Sequence, residues 1–152
     1  MKQLSNLYVG ETISDATMRS EDLIPKFMGI LEDVAELCEI QEEVAQLREE
    51  VDKLEMEDEE GYRAYYKDSE QAGWILNEGI CNLMDSIAPE FCYFGAHEGD
   101  GTCYGFWTSD EALGEYIILE LETINTDDLL IDYDHIKSVC ELILETLDTH
   151  NR

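Results

Sequence analysis

Cys92, His97 and Cys103 lie close together in the chain, and with Cys81 they offer four donors of the kind that bind zinc. Structural zinc sites draw on close pairs such as C-x2-C, and the five cysteines form none. Cys92 and Cys103 therefore read first as strand residues that flank a turn, at offsets that pair across a hairpin. Glu98 and Asp100 sit among Gly95, Gly99 and Gly101 and loosely resemble a calcium loop. They lack its alternating acidic register and trailing glutamate. His97, Glu98 and Asp100 are thus the candidates for a divalent ion, and no motif asks for a cofactor. A cysteine nucleophile needs a histidine base beside it. No catalytic signature surrounds His97, His135 or His150, and neither glycine-rich phosphate-binding pattern occurs. Paired carboxylates could hydrolyse glycosides, but acids are too abundant here for any pair to stand out.

That abundance is itself the strongest signal. The 152 residues hold 37 Asp and Glu against nine Lys and Arg, a formal net charge of −28, where a small soluble domain typically carries a magnitude of roughly 2–8. The chain is not a disordered acidic tail, because 44% of it is hydrophobic and aromatics are plentiful. Two readings follow: a solvating, halophile-like surface, or a docking surface for a basic partner. Direct contact with nucleic-acid phosphates is disfavoured by like-charge repulsion. No apolar run approaches the ~18 residues that span a bilayer, and the first residues lack the apolar core of a secretory signal. The odd number and irregular spacing of the cysteines fit reduced thiols, so a cytoplasmic location is expected.

The elements that would carry these groups can be read from periodicity. Leu4 to Val9 is a short strand or a lead-in, broken by Gly10. A helix is predicted from Ser20 as N-cap, with a kink or delayed start at Pro25 and an apolar face of Leu23, Phe27, Ile30, Val34 and Leu37. The pattern continues, shifted in phase, through Ile40, Val44, Leu47, Val51 and Leu54 in 4-3-4-3 steps. This stripe packs within the chain as a helical hairpin, or it is a seam for a second copy, making a homodimer. Glu57 to Gly61 reads as a helix end and turn, with Tyr62, Tyr65 and Tyr66 covering it. A second long helix is predicted from Ser69 to about Ile87, buried along Ala72, Ile75, Leu76, Ile80, Leu83, Met84 and Ile87. Pro89 stops it. Residues 91–107 read as a β-hairpin around a glycine-rich turn whose glycines suit positive φ. Ser109 caps a helical turn. Tyr116 to Ile124 and Leu129 to Ile131 are further strand candidates, and a C-terminal helix is predicted over 134–147. Trp74, Tyr104, Phe106 and Trp107 are core aromatics or a binding surface. The expected fold is one α+β domain over 1–152, helical over about 20–87 and β-rich over about 91–131, with a small antiparallel sheet.

Thr17 to Phe27, Ser69 to Asn77, and Ala88 to Gly101 with Gly105-Phe106-Trp107 together resemble a family of small proteins carried by bacteriophages and other mobile elements. The resemblance covers a third to a half of the chain and does not extend beyond Asp110. It implies expression in a bacterial cytoplasm, often during infection, and carries over no catalytic residue.

Charge and resemblance together suggest an acidic decoy, a nucleic-acid mimic that inhibits a basic host protein such as a defence nuclease, transcription factor or nucleoid factor. As one helix, Glu42 to Glu60 would span about 28 Å. Its ten acids and two bases would give half the charge of a duplex of that length, about 16. Glu42, Glu43, Glu49, Glu50 and Glu57, with Asp58, Glu59 and Glu60, form the expected contact face. The alternatives are a scaffold or adaptor using the heptad seam, and a metal protein or enzyme centred on His97.

Overall fold

The computed structural model describes residues 1–5, 8–59, 61, 63–114 and 116, with the single positions 138 and 141. In chain order it contains β1 (Thr12–Ser14), α1 (Ser20–Cys38), α2 (Gln41–Asp52), β2 (Met56–Glu59) and β3 (Arg63–Tyr66). There follow α3 (Ser69–Trp74), a π-helical segment (Ile75–Cys81), α4 (Asn82–Ser86), β4 (Cys92–His97) and β5 (Asp100–Thr108). The architecture is α+β, with a three-stranded antiparallel sheet ordered β1-β5-β4 and a separate two-stranded sheet of β2 and β3. The strand candidates within 116–131 and the C-terminal helix expected over 134–147 lie outside the described residues, as do His135, Cys140 and His150.

α1 begins where expected, but its cap is Arg19 and Ser20 is the first helical residue. Glu21 and Asp22 occupy the first turn, where carboxylates favour the positive end of the helix dipole. Thr17 Oγ1 accepts the Arg19 amide at 3.2 Å and donates to Asp22 at 2.6 Å. The helix runs through Pro25, so the start is not delayed; only the amide that would have bonded to the Glu21 carbonyl is missing. The buried face is Leu23, Ile24, Phe27, Met28, Leu31, Val34, Ala35 and Cys38. Of the expected stripe, Leu23, Phe27 and Val34 are buried, Ile30 is half-buried and Leu37 is 61% exposed.

The helix breaks at Glu39, which takes a left-handed conformation with φ 60°, its amide donating to Ala35. Lys2 Nζ bonds the Glu39 carboxylate at 2.5 Å. α2 packs against α1, and Arg48 bonds Glu32 between them. It ends at Asp52, so Glu42 to Glu60 is not one helix. Met56 to Glu59, read as a helix end, form an antiparallel ladder with Arg63 to Tyr66. Acids have low strand propensity, and what holds them extended is the backbone ladder with Arg63 to Tyr66.

The second helical stretch runs from Ser69 to Ser86, as predicted, except that Asp68 is its cap: the carboxylate accepts from the Gln71 amide at 2.9 Å. Its centre widens to i→i+5 bonding, which the sequence reading did not foresee. Ala72, Leu76, Ile80 and Met84 are all buried. Four-residue steps drift around a 3.6-residue turn; the wider turn keeps these side chains in line against the core.

Helices and sheet meet through Phe27, which packs edge-on against Phe94 at 5.0 Å and lies 5.6 Å from Tyr104. Phe94 in turn packs on Phe106 at 5.1 Å. The hairpin register sets Phe94 opposite Phe106 and Tyr93 opposite Trp107. Cys92 faces Thr108, and Cys103 falls at a bulge, so these cysteines do not pair. The chain's start is tied in by Leu4, whose amide donates to the Ile87 carbonyl at 2.8 Å. Asp85 Oδ1 accepts the Phe94 amide at 2.8 Å, joining α4 to β4. Ser109 Oγ accepts from Ala112, the expected cap, at 3.2 Å.

The hairpin glycines are not at positive φ; that conformation falls to Gly10 and Gly61. Gly105 is required for a different reason. A β-carbon there would lie 2.5 Å from the Glu11 carbonyl oxygen and 2.8 Å from the Trp107 ring. Gly105→Ala is expected to cost about 1–3 kcal/mol, as overpacking does. Gly79→Ala meets only the Leu47 terminal methyl, at 2.6 Å. That methyl can move, and Ala gains about 1 kcal/mol of helix propensity, so little net change is expected. Urea denaturation of both variants tests the contrast, which fails if the two are equally destabilised.

Candidate functional site

The acids of the expected contact face lie on two elements. On α2, Val44 turns into the core, which fixes the helix rotation and leaves Glu42, Glu43 and Glu49 exposed and Glu50 half-buried. On β2, Glu57, Asp58 and Glu59 are exposed. Glu60 lies outside the described residues, as does Tyr62. Among the described residues, the carboxylates in ion pairs are Glu21, Glu32, Glu39 and Glu55. None of them belongs to the expected face, so Glu42, Glu43, Glu49, Glu50, Glu57, Asp58 and Glu59 are held in no direct ion pair. Lys67 bonds Glu55 at 2.9 Å; that bond raises the lysine pKa and lowers the carboxyl, and the nearby Glu57 adds to the lysine's rise.

The heptad stripe is used inside the chain. Ile40 and Val44 are buried, and Leu47, Val51 and Leu54 pack half-buried against the same core.

The glycine-rich turn closes one side of a groove of about 600 Å³ lined by Thr12, Tyr93, His97, Asp100, Cys103 and Trp107, among others. His97 Nδ1 accepts the Gly99 amide at 3.0 Å, and its ring stands edge-on to Trp107 at 4.7 Å. Trp107 Nε1 donates to the Gly95 carbonyl at 2.9 Å. Asp100 Oδ1 accepts from the Thr102 amide and hydroxyl at 3.0 and 2.8 Å, which lowers its carboxyl pKa. Glu98 is exposed in the turn. Among the described residues no three His, Cys, Asp or Glu side chains converge on a point where a metal could sit. Cys81, Cys92, His97 and Cys103 thus form no gathered ligand set, and His97 and Asp100 brace the turn. The four aromatics do not share a surface either. Phe106 is fully buried, Tyr104 packs on the core, Trp107 is held to Gly95 and Trp74 is exposed.

A second open groove of about 600 Å³ lies between the start of α1 and the β2–β3 ladder, lined by Met18, Arg19, Glu21, Asp22, Met56 and Arg63, among others. Sequence reading missed it, because residues 56–66 were not read as strands. No helix among the described residues is long and apolar enough to cross a membrane.

Burial pushes the Cys81 and Cys92 thiols up to about 11. Since the thiolate is the nucleophile, both are expected to alkylate at neutral pH at least about tenfold more slowly in the folded protein than in urea. Mass spectrometry after timed iodoacetamide exposure checks this, and equal rates would refute it. No family model, curated protein or solved structure matches the chain.

Proposed function

We propose that the protein is an acidic decoy that occupies the nucleic-acid-binding groove of a basic protein in a bacterial cytoplasm, acting by binding and not by catalysis. The observation that supports this reading is the set of exposed, unpaired carboxylates at Glu42, Glu43 and Glu49 on α2 and Glu57, Asp58 and Glu59 on β2. α1 and α2, read as a helical hairpin, hold the first group at fixed spacing. The ladder with β3 holds the second. A side chain on a rigid element loses little further freedom on binding, so such an array can compete with a phosphate backbone whose charges are also fixed. The gain is long-range: oppositely charged surfaces steer encounter and speed association, and salt weakens both effects.

The array differs from the single helical rod first expected. α2 is about 18 Å long, and the remaining acids continue on a strand. The basic surface it fits is therefore a groove with two walls or a bend, more than a straight channel. Glu32, on α1, is taken by Arg48 and is not counted among the contacts.

The test is displacement of duplex DNA from basic DNA-binding proteins, namely a nuclease, a polymerase and a nucleoid protein, at about 50 and 200 mM salt. Displacement is expected at the lower salt and should fall steeply at the higher. Replacing Glu42, Glu43 and Glu49 together by Gln is expected to weaken it about tenfold or more and to flatten the salt dependence. Failure to displace DNA from all three proteins at low salt would overturn the proposal.

A further inference from the structure

The ladder between β2 and β3 determines which of its backbone groups face outward. The Lys67 amide donates to the Glu55 carbonyl at 2.9 Å, so Glu55 and Lys67 are a hydrogen-bonded pair. In an antiparallel ladder such pairs alternate with non-hydrogen-bonded ones. With the observed register, Glu57–Tyr65 and Glu59–Arg63 are bonded pairs, and Met56–Tyr66 and Asp58–Ala64 are not. The N–H and C=O groups of Met56, Asp58, Ala64 and Tyr66 therefore point away from the partner strand. An independent contact agrees with this assignment: the Ala64 carbonyl accepts from Arg19 Nη2 at 3.0 Å. Arg19 so covers the outer edge of β3, and among the described residues β2 is left as the open edge of the sheet.

All four residues of β2 are exposed, and among the described residues no other strand pairs with it beyond β3. Natural edge strands are usually blunted by Lys, Pro or a bulge. β2 has none of these, and its register with β3 is regular. What it has instead is Glu57, Asp58 and Glu59 in succession. That choice decides the occupant. A second copy would bring three carboxylates against three in a chain of net charge −28, and like charges opposite one another destabilise a ladder. A strand rich in Lys or Arg meets the reverse field.

We propose that β2 receives an extended, basic segment of the partner as an added strand, bonded to the Met56 and Asp58 backbone and flanked by Glu57 and Glu59. Main-chain bonds give such an addition its register, and the alternating side chains give its selectivity. Met56, 46% exposed, offers an apolar contact to a residue of the incoming strand that lies between the basic ones. This inference deepens the decoy reading, because it names the partner segment that reading leaves open.

The experiment uses the full chain and a short synthetic peptide in which lysine alternates with valine, followed by fluorescence anisotropy. Asp58→Pro removes the outward amide at a position where no ladder bond is lost. Asp58→Asn removes the same charge and keeps the amide. Asp58→Asn is expected to bind the peptide within about threefold of wild type, and Asp58→Pro about tenfold or more weaker than Asp58→Asn. Equal binding by the two variants would overturn strand addition. Because Asp58→Pro could unfold the ladder, a second arm uses the unaltered protein and the same peptide methylated on every backbone amide. Loss of binding supports the inference, and retention overturns it. Displacement of DNA without any peptide binding would defeat this inference and leave the decoy reading standing. Peptide binding of the expected pattern without displacement of DNA would do the opposite.

Discussion

Phe27, Phe94 and Phe106 meet at centroid separations near 5 Å, one from α1, one from β4 and one from β5. That contact joins the first helix to the three-stranded sheet. Fully burying a side chain such as Phe27 or Phe106 contributes about 1.5–3 kcal/mol, and Leu23, Ile24, Met28, Leu31, Ile80 and Met84 are as deeply buried beside them. This apolar centre has to outweigh the self-repulsion of a chain at −28. The near-absence of internal charge is part of the same solution. Ser14 is the one buried polar residue among the described residues, and Lys26 bonds its hydroxyl at 2.9 Å. The carboxylates are left at the surface, where water and counter-ions screen them.

The parts of this fold that could be read from the sequence are those where local preference and burial agree. Tyr93 and Phe94 on one side of a glycine-rich turn and Tyr104, Phe106 and Trp107 on the other are strand formers, and the hairpin forms where they stand. The stripe from Ala72 to Ile87 is buried nearly as read. The misreadings fall where the two disagree. In α1, apolar residues occupy adjacent positions such as Leu23 and Ile24 or Phe27 and Met28, so periodicity alone could not say which face the core selects. The core takes both residues of each of these pairs and leaves Leu37 exposed. Glu39 ends α1 in a conformation usually given to Gly or Asn, and Lys2, far away in sequence, bonds its carboxylate. Glu57 to Gly61 have the composition of a helix end and turn, and pairing with Arg63 to Tyr66 draws Met56 to Glu59 into a strand instead.

The candidate site was legible as chemistry and not as shape. Acid content marked α2 and residues 57–59 as one face, whereas the chain divides them between a helix and a sheet edge. His97 and Asp100 attracted a metal reading because their residue types suit one. Their hydrogen bonds to Gly99 and Thr102 show the same atoms working to close a tight turn. Residue type limits what a group can do; the partner of its lone pair decides what it does.

An edge strand guarded by charge differs from one guarded by proline or a bulge in one respect: its guard weakens as the net charge of the whole molecule falls. The chain's isoelectric pH is about 4.1. As acid brings the molecule toward that point, the net charge that repels one copy from another falls, while the outward amides and carbonyls of Met56 and Asp58 stay in place. The same strand then becomes a template for stacking copies edge to edge. Mild acid precipitation, a common step in handling acidic proteins, would for this molecule risk seeding ordered aggregates.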